Sequence, residues 1–170
     1  MKDLELNIRR VSTHKESLSC AELMAGSEPW ITLGMDRDHV VNIFNDPLNE
    51  VFAAYIGEAL VGTMVIQTKG AFTGYLKSIV VKPDRRGQKL GEKMMAFIEK
   101  EIFATCANLF LCVSSFNREA QRFYQRLGYE KIGVLKNYLV DGHDEILMRK
   151  TIAPILEKTG NSPSESVPED

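Results

Sequence analysis

Apolar and polar positions recur along this chain at two periods, and they divide it into a short series of elements. LNIRRV, close to the start, alternates enough for a first strand, and the stretch to about Asn45 (SLSCAELMAG, then DRDHVVNIF) carries helical spacing. Ser27-Glu28-Pro29-Trp30 interrupts that spacing, which predicts two short helices with a loop between them. Three strand-like runs follow, EVFAAYI, LVGTMVIQ and YLKSIVV, separated by Gly57-Glu58 and by KGAFTG. Turns that short imply an antiparallel meander. From Leu90 the apolar residues Leu90, Met94, Phe97, Ile98 and Ile102 fall on one helical face. LFLCV, residues 109–113, comes after this helix-length connection, so it should pair with the preceding strand in parallel. Asn117 can cap the next helix, in which Ala120, Phe123, Tyr124 and Leu127 share a face and Gly128 supplies the stop. Two last strands, around KIGVLKNYLV and EILMRK, are joined by the hairpin signal Asp141-Gly142. The pattern adds up to an α/β (α+β) chain with a mixed, mainly antiparallel sheet of about six to seven strands flanked by helices.

Composition narrows the picture. With 170 residues, 44% of them hydrophobic and 26% charged, the chain can bury one good-sized core. We expect a single domain over residues 1–157. The last stretch, KTGNSPSESVPED (158–170), has Val167 as its only aliphatic residue and is expected to be a flexible tail. A formal charge of −2 gives no overall pull toward nucleic acid or an anionic membrane, so neither is expected as a partner. Three cysteines without paired metal-ligand spacing fit reduced thiols, and no metal site is indicated. MKDLELNIRR lacks the apolar core of a signal peptide, and no run approaches the roughly 18 apolar residues of a spanning helix. These features lead us to expect a cytoplasmic protein.

One loop stands out chemically. RRGQKLGEK, from Arg85 to Lys93, holds two glycines and four basic side chains between a strand and the start of a helix. A helix N-terminus offers unpaired N–H groups and partial positive charge, so a glycine-bearing turn leading into one suits a phosphate. Taken alone, the same pattern also describes a solvated basic cap. A dinucleotide fingerprint is a poor competitor, because its glycines should follow the first strand of a βαβ unit with an acidic ribose ligand downstream. A P-loop is excluded by the missing Gly-Lys-Ser/Thr.

The order V-x-P-x-x-R-G-x-x-x-G, spelled by Val81, Pro83, Arg86, Gly87 and Gly91, resembles the acyl-CoA loop of the GNAT superfamily of N-acyltransferases. Downstream, SSFNREAQRFYQRLGYEKIG is similar to that family's second signature through Asn117, Ala120, Tyr124, Gly128-Tyr129 and Gly133. The two motifs cover roughly residues 75 to 133, and the meander with its terminal hairpin fits the family fold across about 6 to 150. The resemblance implies an acetyl-CoA-dependent N-acetyltransferase acting on a primary amine of a small molecule or peptide, with two strands splayed at the acyl-CoA site. Backbone of Ile79, Val80 and Val81 would meet the pantetheine arm and thioester. Arg86, Gly87, Gln88, Lys89, Leu90, Gly91 and Glu92 would wrap the pyrophosphate, and a fixed N–H near Ile79 would face the thioester oxygen. Asn117 would contact the cofactor, and Tyr124 would be the catalytic proton donor to the departing thiolate. A homodimer stays open. The competing class is a non-catalytic acyl-CoA-binding sensor or regulatory module.

This sequence departs from the family pattern at Lys89, which stands where the loop carries a glycine. We expect it to lie in the first helical turn with ordinary helical φ, adding charge near the phosphates, whereas a positive φ there would distort the cradle. A second departure concerns the base. Cys112 and Tyr75 stand where other branches of the family place glutamates, so no carboxylate is assigned and the amine's proton is expected to leave through water. His143, in the last turn, is a base candidate or simply exposed. Trp30, Glu28, Asp36, Asp38 and Glu50 are candidates for the acceptor pocket, with core packing or ordinary surface charge as the other reading. Arg122 and Arg126 are either solvated or contacts to the cofactor's nucleotide phosphates.

Overall fold

The computed structural model describes residues 5–159. Its elements run β1 (Leu6–Arg10), α1 (His14–Ala25), α2 (Arg37–Asn45), β2 (Glu50–Ile56), β3 (Ala59–Gln67), β4 (Tyr75–Val81), α3 (Leu90–Thr105), β5 (Asn108–Ser114), α4 (Arg118–Arg126), β6 (Glu130–Leu135), β7 (Glu145–Thr151) and α5 (Ile155–Thr159). The seven strands form one sheet in the order β1-β2-β3-β4-β5-β7-β6. Every pairing is antiparallel except β4 with β5, and that parallel contact spans two residue pairs, Tyr75↔Phe110 and Leu76↔Leu111. Beyond Leu76 and Leu111 the two strands part, leaving a V-shaped opening in the middle of the sheet.

Two cores hold the layers. On one face α3 contributes Leu90, Met94, Met95, Ile98 and Ile102, which meet Leu76, Leu109, Leu111, Val113, Ile146 and Met148 of the sheet and Tyr124 of α4. Each such buried aliphatic side chain contributes about 2 kcal/mol. On the other face Cys20, Met24, Val40 and Phe44 of the first two helices cover Ala53, Val65 and Val80. Trp30 belongs to this second core, at 8% exposure. Local capping explains where the helices start: Thr13 accepts from the N–H of Glu16, Asp36 from that of His39, and Asn117 from that of Ala120.

One expectation is corrected. The strand read from KIGVLKNYLV ends at Leu135, and a nine-residue connection, 136–144, replaces a tight hairpin. Asn137 takes a left-handed φ of 49°, its N–H donates to Asp144 Oδ1, and its Oδ1 accepts from the N–H of Gly142. These local bonds satisfy the backbone without a ladder, so the strand stops. Helix α5 was not foreseen, and it runs two residues into the stretch expected to be a tail; the rest of that stretch, 160–170, lies outside the described residues. Among the described residues no helix is long and apolar enough to cross a membrane, and no cluster of three or more candidate metal ligands occurs.

Candidate active site

The V between β4 and β5 opens onto a cleft of about 820 Å³. On the α3 and α4 side its walls are the loop residues Arg85, Arg86, Gly87, Lys89, Leu90, Gly91 and Glu92 with Asn117, Ala120, Phe123, Tyr124 and Arg126. Ile79, Val80 and Val81 supply the β4 wall, and Glu28 and Thr32, from the segment between α1 and α2, reach it from the opposite face of the sheet. Of the residues expected at the acyl-CoA site, Gln88 alone is absent from this lining. Arg126 lines the cleft and Arg122 does not.

The loop's shape follows from its backbone. Pro83–Arg85 forms a 3-10 turn, Gly87 adopts φ +77°, and Lys89 immediately before α3 adopts φ +58°, ψ +15°. The expectation of helical φ at Lys89 is therefore wrong. Lys89 is the residue preceding the helix and it is left-handed, which costs a residue with a Cβ about 1 kcal/mol or more. The chain must turn from β4 into α3 within a few residues, and alternating left-handed positions make that curl. At Gly91 an added Cβ would lie 3.3 Å from the Phe123 ring, so the glycine lets α3 approach α4 and keeps the floor of the cleft flat.

Electrostatics favour an anion here. Helices α1, α2 and α4 each have a side chain capping the first turn, whereas α3 has none, so its leading N–H groups face the cleft unsatisfied by any side chain. Arg85, Arg86 and Lys89 surround that terminus, with Arg86 Nε 3.4 Å from the Val81 carbonyl. Deeper in, Tyr124 is 7% exposed, and burial raises its pKa, so the phenol holds its proton. Among the described residues its hydroxyl has no hydrogen-bond partner and no polar side-chain atom sealed from solvent lacks one, so the hydroxyl keeps an exposure to the cleft that Tyr124 lines.

The β4–β5 face away from α3 holds the positions where a base was sought. Tyr75 and Cys112 interact there, and burial raises both pKa values. The thiol is thereby kept from its reactive thiolate form. His143 packs its ring edge-on against Phe116 at 5.2 Å, and Phe116 lines the cleft. Of the acidic acceptor-pocket candidates, Glu28 reaches the cleft, where its Oε2 accepts from the N–H of Thr32. Asp36 caps α2, Glu50 is bound by Arg10 and Thr68, and Asp38 contacts Arg37. Sequence reasoning did not single out Thr32, Phe116 or Phe123. Phe123 shares a buried helix face, Phe116 lies inside the second signature without being one of its marked positions, and Thr32 carries no motif.

Comparison with known proteins decides the family, since the profile of the acetyltransferase (GNAT) family matches residues 14–129. The chain belongs to the GNAT family. It is 38% identical over 79 residues to an uncharacterized N-acetyltransferase of Methanocaldococcus jannaschii, a match spanning 45% of this chain and 51% of that protein. To the N-alpha-acetyltransferase RimI of Mycobacterium tuberculosis it is 28% identical over 146 residues, covering 81% of this chain and 88% of the relative. Among solved structures, a GNAT-family acetyltransferase from Desulfovibrio desulfuricans superposes with a TM-score of 0.72 at 22% identity, covering 88% of this chain and 100% of that one. An aminoglycoside 6'-N-acetyltransferase complexed with coenzyme A gives 0.70 at 21% identity, covering 87% and 98%. The seven-stranded, mostly antiparallel sheet is thus the GNAT fold, and acetyl-CoA is the acyl donor this GNAT acetyltransferase uses. The uncapped α3 terminus, the basic loop and the flat floor at Gly91 suit its pyrophosphate.

Proposed function

We propose that this GNAT protein transfers the acetyl group of acetyl-CoA to a primary amine of a small molecule or peptide by direct attack. The observation that carries this reading is the coincidence of an uncapped helix N-terminus, ringed by Arg85, Arg86 and Lys89, with a cleft that opens through the sheet between β4 and β5. Anion-binding groups lie on one face, and the other face stays open beside Glu28 and Thr32 for an acceptor. Acetyl-CoA brings the thioester. The chain's own residues hold the pyrophosphate at the α3 terminus, align the acyl arm along Ile79 to Val81, and keep a protonated phenol at Tyr124 for the departing thiolate. Both acceptor classes have relatives: RimI of M. tuberculosis is named as an N-alpha-acetyltransferase, and an aminoalkylphosphonate N-acetyltransferase of Salmonella typhimurium is 39% identical over 59 residues.

The test is a thiol-release assay with acetyl-CoA over a broad panel of amino acids, polyamines, aminoalkyl compounds and alanine-initiated peptides. Release that depends on one class of amine is the expected result. Tight acetyl-CoA binding with no release across the panel would replace this reading with a non-catalytic acyl-CoA sensor.

A further inference from the structure

Two carboxylates are buried among the described residues, Glu16 at 8% exposure and Glu145 at 2%, and they are treated differently. Glu16 is fully engaged: its Oε1 accepts from the Tyr55 hydroxyl at 2.7 Å and pairs with Arg9 at 2.7 Å, while Oε2 accepts from the N–H of Ser12 at 2.9 Å. Burial pushes its pKa up, but these bonds outweigh burial and hold it below the usual carboxylate value. It is a structural ion pair. Among the described residues the Glu145 carboxylate has one hydrogen bond, from the Ser114 hydroxyl to Oε1 at 2.7 Å, and no Lys or Arg pairs with it. Among the described residues its Oε2 bonds nothing and no polar side-chain atom sealed from solvent is left unpartnered, so Oε2 keeps a small exposure to solvent. Burying a carboxylate without a counter-ion is costly, and the fold gains no ion pair in exchange.

Its position gives that cost a purpose. Ser114 pairs with Glu145 in the β5–β7 ladder, and Ser114 and Ile79 each lie three residues beyond the last β4–β5 pair, so they face one another across the open V. Leu111, Val113, Ile146 and Met148 fill the core under α3 and α4, which turns Cys112, Ser114 and Glu145 to the other face, the one from which Glu28 and Thr32 reach the cleft. The groups around Glu145 are Tyr75 from β4, Cys112 and Ser114 from β5, and His143 from the β6–β7 connection, with Tyr138 of that connection beside Tyr75. His143 is the one basic side chain among them, and it packs edge-on against the cleft-lining Phe116.

We propose that Glu145 receives the acceptor's primary ammonium and takes its proton, the task for which neither β4 nor β5 carries a carboxylate. This rests on the acetyl-transfer reading above. A proton passes from R–NH3+ to Glu145, giving a neutral acid and a free amine. The amine's lone pair forms the C–N bond at the thioester carbonyl, the C–S bond breaks with its electron pair on sulfur, and the Tyr124 hydroxyl gives that sulfur its proton. The second nitrogen proton restores the tyrosine, and Glu145 returns its own to solvent once the amide leaves. Burial raises the Glu145 pKa, which makes the carboxylate a stronger base than an exposed glutamate.

The experiment compares Glu145→Gln with the wild-type protein on three probes: propylamine and an alanine-initiated peptide, which are ammonium ions near neutral pH, and hydroxylamine, which is already neutral. Gln keeps the acceptor for Ser114. For at least one ammonium probe kcat/KM should fall about a hundredfold or more, with loss of the acidic limb of its pH profile, while hydroxylamine turnover changes less than about threefold. Equal retention on the ammonium probes would overturn the base and leave acetyl transfer intact. Equal loss on all three would make the residue structural. Absence of any wild-type thiol release on the three would sink transfer to these amines and the base with it.

Discussion

Gly74 sits where β4 and β5 come together, and replacing it with alanine tests whether the closed end of the V is built as described. Its φ is +84°, and an added Cβ would lie 2.0 Å from the carbonyl oxygen of Asn108, with Ile102 and Cys106 at 3.0 and 3.1 Å. Carbonyl and Cβ would have to separate by about 1 Å, which pulls on two short backbone bonds, Phe110 N–H to the Gly74 carbonyl at 2.8 Å and Gly74 N–H to the Gln67 carbonyl at 3.1 Å. A left-handed alanine costs about 1 kcal/mol. Weakening the two backbone bonds adds about 1 kcal/mol each, so Gly74→Ala should lose about 3 kcal/mol. Gly142→Ala is the control, because its φ is +82° and nothing lies within 4 Å of the added Cβ, so it should lose about 1 kcal/mol. Urea unfolding with equal m-values, backed by a melting-temperature difference of about 4–8 °C between the variants, reads the result. Equal losses for the two glycines would refute the close approach of β4 to β5.

Much of this architecture is legible in the sequence because it depends on local chemistry. Asn117 caps α4 as its side chain predicts, the β2–β3 turn falls at Gly57-Glu58, and the helical spacing from Leu90 to Ile102 names the buried face of α3. The misreadings lie where neighbouring side chains or flanking elements override the simplest reading of a motif. Asp141-Gly142 is a strong hairpin signal, yet Asn137 and Asp144 bind the backbone first and lengthen the connection. Lys89 occupies a left-handed position that propensity assigns to glycine, because the turn into α3 is fixed by the elements on either side. Glu145 was invisible for a different reason. In EILMRK it reads as an ordinary polar residue opening an edge-like strand, and its burial appears once the register sets it opposite Ser114. The signal that could have found it is alternation: Ile146 and Met148 claim one face, so Glu145 must share the other with Cys112 and Ser114.

Three further perturbations bear on the cofactor cleft. Tyr124→Phe keeps the ring contacts with Phe123 and Tyr129 but removes the hydroxyl, so kcat should fall about tenfold or more with acetyl-CoA affinity nearly constant; an unchanged kcat where chemistry limits the rate would remove the tyrosine from the reaction. Gly91→Glu would set a Cβ 3.3 Å from the Phe123 ring and a negative charge beside the α3 terminus, and calorimetry on the folded variant should show acetyl-CoA binding weakened more than about tenfold, with unchanged affinity refuting the placement of the pyrophosphate. Lys89→Gly separates two roles that coincide in one residue. Relief of the left-handed strain should stabilise the fold by about 1 kcal/mol, partly offset by the freedom glycine gains in the unfolded chain, so the melting temperature should hold or rise by a few degrees. Loss of the ammonium beside an uncapped helix terminus should at the same time weaken acetyl-CoA binding about two- to fivefold, an effect that shrinks as salt is raised because the site is open to solvent. A variant that melts several degrees lower would contradict the left-handed backbone at this position. Affinity that stays the same at low salt would show that the lysine's charge does not act on the phosphates, leaving its place in the loop a matter of backbone geometry alone.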